Sequence, residues 1–286
     1  MTITDIINIT VVTVFTIQIA LGLLIIFGVM KVINMAHGEF FMLGAYTMVV
    51  TTSLGINPWL GIIIASALLA GFGMLVERLM IRPIYGRADL SSLLVTFGLS
   101  IVLQQTVRLV FGPQPLTVPN PVEGTVDILG TAYPSYRLIA AAIALVVTIG
   151  LALLLFRSVF GIRLRATISN TEVASALGTN TGLVGNLTFG LGAGLAGLAG
   201  ALMAPFVGVV STMGLDQTVR SFLVVITGGL GSLGGTVGGG VLIGGGQSAM
   251  SVWFDGTIAQ VAVLLLAMIV MLLRPRGLFA GKARSF

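Results

Sequence analysis

Side chains able to do chemistry are few and far apart in this chain of 286 residues. Asn34, His37, Gly38 and Glu39 stand together where a hydrophobic run begins at Met35. Ionisable groups at or inside a membrane are costly and face a partner or a cavity. Two readings stay open: Asn34 caps a helix whose positive end Glu39 complements, or the group forms the inner gate of a path. A lone His and Glu do not make a metal site. Gln104, Gln105 and Arg108 are expected to share one helical face. There they either hydrogen-bond between helices or set Arg108 beneath an anionic group near an outer mouth. A third cluster runs from Asn170 through Thr171, Glu172, Ala174 and Ala176 to Gly178. Asn170 or Thr171 can cap a short helix there, Glu172 suits its dipole and Gly178 ends it. A capped helix of this kind fits a groove on another protein; the alternative is a plain solvated loop.

What is missing narrows the chemistry. With no Cys and one His, disulfide frameworks, Cys-based zinc sites and Cys nucleophiles are excluded. The phosphate loop GxxxxGK[ST] is absent, because Gly277 to Lys282 has the wrong spacing and no Ser or Thr after the Lys. No paired intramembrane carboxylates are available for general acid–base work.

The elements that must position these residues are membrane helices. The chain is 56% apolar and 8% charged, against roughly a quarter charged in ordinary globular chains. At about 20 apolar residues per crossing, its length allows roughly seven to nine spans and no large soluble domain. Runs lie at Val11–Met30, Met35–Ser53, Trp59–Met80, Leu90–Phe111, Leu138–Phe156, Leu183–Ala204 and Ile258–Leu273, with a glycine-broken stretch at Phe222–Phe254. The first is read as a retained helix and not a signal peptide. We expect an all-α polytopic fold, 1–286 forming one membrane-spanning domain.

Eleven of the fourteen basic residues fall in alternate connections: Lys31; Arg78, Arg82 and Arg87; Arg157, Arg163 and Arg165; Arg274, Arg276, Lys282 and Arg284. Under the positive-inside rule those connections and the C-terminus are cytoplasmic, and the N-terminus is outside. Arg108, Arg137 and Arg220 then lie near the opposite face. The helix count becomes odd, so Phe222–Phe254 either crosses twice or dips in and returns. Outside lies 112–136, holding five of the nine prolines, either a loop or a docking surface for a periplasmic partner. The longest cytoplasmic connection is 157–182.

Twenty-two of 39 glycines fall between Gly178 and Gly256. Gly190, Gly194, Gly197 and Gly200 let helix backbones approach closely in lipid. The run holding Gly228, Gly229, Gly231, Gly234 and Gly235 is denser than packing requires. It either packs or lines a path, since broken helices in transporters lie at permeation routes.

The segments Asn34–Tyr46, Glu77-Arg78-Leu79 with Arg82-Pro83, Thr171–Gly178 and Arg274-Pro275-Arg276-Gly277-Leu278-Phe279 together resemble the LivH-type permease. That family supplies a membrane subunit of bacterial importers for branched-chain amino acids, with a close branch for urea and short amides. The resemblance runs over nearly the whole chain. It implies an inner-membrane, heteromeric complex: this permease, a second related permease, two ATPase subunits holding ATP and Mg, and a periplasmic binding protein. No cofactor in this chain and no nucleic-acid partner is implied. The stretch Glu172, Ala174, Ala176, Gly178 reads E-x-A-x-A-x-G, an ATPase-coupling segment that departs from the tandem EAA pattern of many such permeases. Tyr85-Gly86-Arg87, Phe97–Ser100 with Gln104-Gln105, Tyr133-Pro134 before Tyr136-Arg137, and the closing Arg-Pro-Arg-Gly-Leu-Phe look closer to the urea branch. The expected role is a passive half of an alternating-access path; the rivals are an autonomous channel or secondary transporter and an intramembrane enzyme.

Overall fold

The computed structural model describes residues 1–86, 89–275 and 277–279. Arg87, Arg276, Lys282 and Arg284 of the basic-residue pattern lie outside the described residues. The chain is mostly helical: α1 (Ile3–Met30), α2 (His37–Ser53), α3 (Pro58–Val76), α4 (Asp89–Phe111), α5 (Ser135–Arg157), α6 (Val159–Ser169), α7 (Thr171–Ala176), α8 (Thr181–Met203), α9 (Met213–Gly228), α10 (Leu233–Gly240), α11 (Gly246–Met250) and α12 (Gly256–Leu273). A hairpin of β1 (Thr125–Ile128) and β2 (Thr131–Pro134) sits between α4 and α5. Among the described residues six helices are long and apolar enough to cross a membrane: α1, α3 with its extension to Ile84, α4, α5, α8 and α12. The chain is therefore a multi-pass membrane protein. At 17 and 16 residues, α2 and α9 are shorter.

Two compact units divide the chain. One holds Ile25–Pro121 and Gly150–Thr218; the other holds Met1–Leu24, Val122–Ile149 and the described part of Val219–Ser285.

In the first unit α8 packs against α2 and α3 through glycine. A Cβ on Gly44 would collide with the Gly197 carbonyl, and one on Gly200 with the Phe41 carbonyl. Ser66 donates to the Gly194 carbonyl at 3.4 Å across the α3–α8 contact. Phe40 meets Phe72 and Phe189 edge-on, at 6.1 and 5.9 Å between ring centres. Close backbones bring dispersion contact and polar cross-links where lipid supplies no hydrophobic drive. Asn57 starts α3, its side chain accepting the Trp59 N–H at 2.9 Å ahead of Pro58 at the first helical position. At its far end α3 widens into a π-turn over Glu77–Ile81 and tightens over Arg82–Ile84, where Pro83 stops it.

The 157–182 connection contains more helix than expected. Ser158 accepts the Gly161 N–H at 3.0 Å and caps α6, which was not anticipated. A Cβ on Gly161 would strike the Leu154 and Leu155 carbonyls, so glycine permits the sharp α5–α6 corner. Arg165 donates to the same Leu155 carbonyl.

In the second unit the proline-rich stretch ends in a hairpin. Leu129 and Gly130 both take positive φ, as a two-residue hairpin turn requires, and Asp127 accepts the Gly130 N–H at 2.8 Å. Tyr133 donates to Asn8 at 2.7 Å and ties β2 to α1. The glycine-broken stretch resolves into α9, a turn at Gly229 and Gly231 (φ +109° and +89°), then α10, a π-turn over Val241–Gly245, and α11. After α12 the chain returns: Leu278 and Phe279 donate to the Thr227 and Gly228 carbonyls at 2.9 and 3.3 Å, closing the open end of α9.

Candidate functional site

The polar residues at the start of α2 form a buried knot in the first unit. Asn34 accepts the Ala36 N–H at 3.1 Å. It closes a turn ahead of the helix, whose cap position is Ala36, so the capping role expected of Asn34 is corrected to a turn two residues earlier. Thr96 of α4 accepts the Met35 N–H and donates to the Ile33 carbonyl, at 3.1 and 3.0 Å. Thr218 of α9 accepts the Gly38 N–H at 2.9 Å. His37 is fully buried beside them.

Glu39 is 0% exposed. Its Oε1 accepts from Ser100 at 2.8 Å and from Gln104 at 2.7 Å, both on α4. Oε2 is buried and has no hydrogen-bond partner among the described residues. A side chain on Gly214, in the first turn of α9, would run into this carboxylate, and one on Gly38 would strike the Gly214 carbonyl. Two glycines thus let α2 and α9 close over Glu39, with its charge near the positive end of α9. Gln105 and Arg108 lie exposed and take no part. The shared face expected for Gln104, Gln105 and Arg108 is therefore not a shared site.

A second buried carboxylate, Glu77, went unremarked in the sequence except as part of a motif. It is 0% exposed, accepts Tyr85 at 2.7 Å and Asn186 of α8 at 2.6 Å, and lies 3.6 Å from the Arg82 Nε. Asn186 also donates to the Met74 carbonyl at 2.8 Å. Burial, and then the bond to Glu77, pushes the Tyr85 hydroxyl well above its ordinary pKa, so it remains a donor. Beside this cluster lies a cavity of about 370 Å³ bordered by Arg82, Tyr85, Thr167, Thr171 and Gly182.

Thr171 opens α7. Of the two candidate caps Asn170 serves, accepting the Val173 N–H at 3.0 Å, while Thr171 donates back to the Thr167 carbonyl. Gly178 ends the turn with φ +84°. Ala174 is buried and anchors the helix, whereas Glu172 and Ala176 are exposed. Val173 and Leu177, 53% and 80% exposed and four residues apart, form an apolar knob that the pattern of Glu and small residues did not single out.

Packing and turn geometry account for four members of the glycine run. Side chains on Gly228 or Gly235 would meet the other's carbonyl, and Gly229 and Gly231 make the turn; Gly234 is exposed with open space around it. Among the described residues no three His, Asp or Glu side chains converge as a metal would require.

The profile described as "Branched-chain amino acid transport system / permease component" matches residues 5–273. The chain belongs to this permease family. The permease LivH of Salmonella typhimurium, named for high-affinity branched-chain amino acid transport, is 29% identical over 91% of this chain and 89% of its own length. The permease BraD of Pseudomonas aeruginosa, named for the same transport, is 30% identical over 91% and 90%. LivM of Escherichia coli, also a branched-chain amino acid permease by name, is 25% identical over 95% of this chain and 69% of its own length. No solved structure matches the chain. The expected permease family is thereby shown, while the leaning toward its urea branch finds no support in these relatives.

Proposed function

We propose that this permease is one of two related membrane subunits of an ATP-driven importer of branched-chain amino acids in a bacterial inner membrane. Two ATPase subunits and a periplasmic binding protein complete it. The basic connections face the cytoplasm and the N-terminus faces outside. The similarity to both LivH and LivM supports a partner of the same family.

The observation that carries the reading is α7: a capped, glycine-stopped helix with an exposed Val173–Leu177 knob, standing beside the Glu77 cluster that joins α3 to α8. A partner that grips the knob moves a braced part of the helix framework. Separation of Gly38 from Gly214 then uncovers Glu39 toward the path, giving the differential contacts that two-state transport needs. Reconstitution in liposomes tests this. ATP-dependent leucine uptake by the complete set of subunits is expected, with none by this chain alone. Equal uptake without ATPases and binding protein would establish an autonomous channel instead.

A further inference from the structure

Two polar atoms on α2 are buried without a hydrogen-bond partner among the described residues: Glu39 Oε2 and the Tyr46 hydroxyl. Buried polar groups are paired as a rule, so each calls for an explanation. Seven residues apart, Glu39 and Tyr46 share one face of α2 with Leu43 and Val50. That face looks onto α4. Ser100 and Gln104 both reach Glu39 Oε1, and Phe111 packs on the Tyr46 ring at 4.8 Å between centres.

One turn further along α2 from Glu39, an apolar cavity of about 380 Å³ lies between α2, α3 and α4. Leu43 and Val50 of α2, Leu69 and Phe72 of α3, and Phe111 of α4 give it apolar walls. Val50 and Leu68 are exposed at its rim. Of the lining residues only Tyr46 and Thr47 carry polar side chains, and the Thr47 hydroxyl is spent on the Leu43 carbonyl at 2.8 Å. The one hydroxyl left to a guest is that of Tyr46.

These groups are the complement of a zwitterion with an alkyl side chain. A carboxylate oxygen with free lone pairs accepts from an ammonium, a phenol O–H donates to a carboxylate, and an apolar wall holds a hydrocarbon. Urea or a short amide brings no charge for Glu39 and no branched chain for the cavity. The volume falls at the low end of the roughly 300–1,000 Å³ of small-molecule sites.

We propose that Glu39, Tyr46 and this cavity form a transit site for the substrate amino acid. Once Gly38 and Gly214 separate, Glu39 Oε2 takes the ammonium, Tyr46 donates to the carboxylate and the cavity takes the branched side chain. The inference rests on the proposed reading of the chain as an amino-acid permease. In the orientation given there α2 starts on the cytoplasmic side, so the cavity lies outward of Glu39 and inward-moving substrate meets it first.

The test is photolabelling of the complete importer in nanodiscs with photo-leucine, a leucine analogue carrying a diazirine in its side chain, illuminated during ATP turnover. Adducts are mapped by mass spectrometry. They are expected on the α2 and α4 segments holding Leu43, Tyr46 and Phe111, and excess leucine should suppress them. Glu39→Gln is expected to lower this labelling about tenfold, the range for loss of a charge-assisted bond, and Glu39→Asp by less. Tyr46→Phe should lower it several-fold without lowering the unfolding temperature, because the deleted hydroxyl has no partner to lose. Adducts confined to other segments, labelling indifferent to Glu39→Gln, or a Tyr46→Phe chain that unfolds early and labels normally would each overturn the site. If the Glu39 variants fail to assemble, Tyr46→Phe decides: a several-fold loss of label supports the site, and unchanged label removes it. Leucine uptake is scored separately. Normal uptake with no adduct on α2 or α4 sinks the site alone, whereas ATP-driven uptake of urea and not leucine sinks the amino-acid reading.

Discussion

Glu39 and Glu77 are both fully buried glutamates, yet they live in opposite circumstances. Glu77 uses both oxygens, one toward Tyr85 and Arg82 and the other toward Asn186. Glu39 places two neutral donors on one oxygen and leaves the other without a partner among the described residues. A satisfied carboxylate holds helices in register; a half-satisfied one in a closed space keeps capacity for a further donor. Buried polar groups are paired as a rule in native folds, so an unpaired one calls for an explanation of its own. The contrast separates a fully paired carboxylate from one with an oxygen to spare, although both carry the same side chain.

The largest expected effect is at the paired carboxylate. Glu77→Ala removes the acceptor of two part-buried donors, Tyr85 and Asn186, and should destabilise the chain by about 2 kcal/mol, with little from the half-exposed Arg82. Thermal unfolding in nanodiscs measures it, and a loss near zero would remove the distinction from Glu39. Glu39→Gln should instead leave unfolding within about 1 kcal/mol while lowering leucine uptake about tenfold. A variant that unfolds early yet transports normally once folded would reverse the two roles. Tyr85→Phe should cost about 1 kcal/mol near neutral pH. Because the fold favours the neutral hydroxyl, that stabilisation is complete below tyrosine's ordinary pKa of 10.0 and declines as pH rises beyond it. Alkaline unfolding of Tyr85→Phe should therefore be flatter than wild type; identical profiles would detach Tyr85 from Glu77. The smallest difference is expected at Gln105→Ala, unchanged in both stability and uptake, beside a measurable uptake defect in Gln104→Ala.

Local signals in the chain were enough for much of this fold. Leu90–Phe111 is α4 almost to the residue, because an apolar run bounded by polar turns has one economical use in lipid. Asn170 and Gly178 bracket α7 as their side-chain and backbone chemistry dictates. The Glu77 brace was not legible, since Asn186 stands 109 positions away and only the α3–α8 packing brings it near. Gln104 and Gln105 are equivalent as text, and only α2's position tells them apart. The hairpin at 125–134 was hidden by the prolines before it, although Asp127 and Gly130 carry its turn. For the glycine run, density could not separate packing from path. The Gly228–Gly235 contact explains the close approach by geometry that no spacing rule contains.

The return of Leu278 and Phe279 to the end of α9 also bears on biogenesis. During synthesis α9 and α10 leave the ribosome with the Thr227 and Gly228 carbonyls still uncovered, and the amides that cover them emerge only after α12 has been made. Until those amides arrive, the end of α9 lacks the partners that the folded chain gives it. A ribosome stalled just after α12 would leave an intermediate open to membrane proteases at the place where the finished chain is sealed.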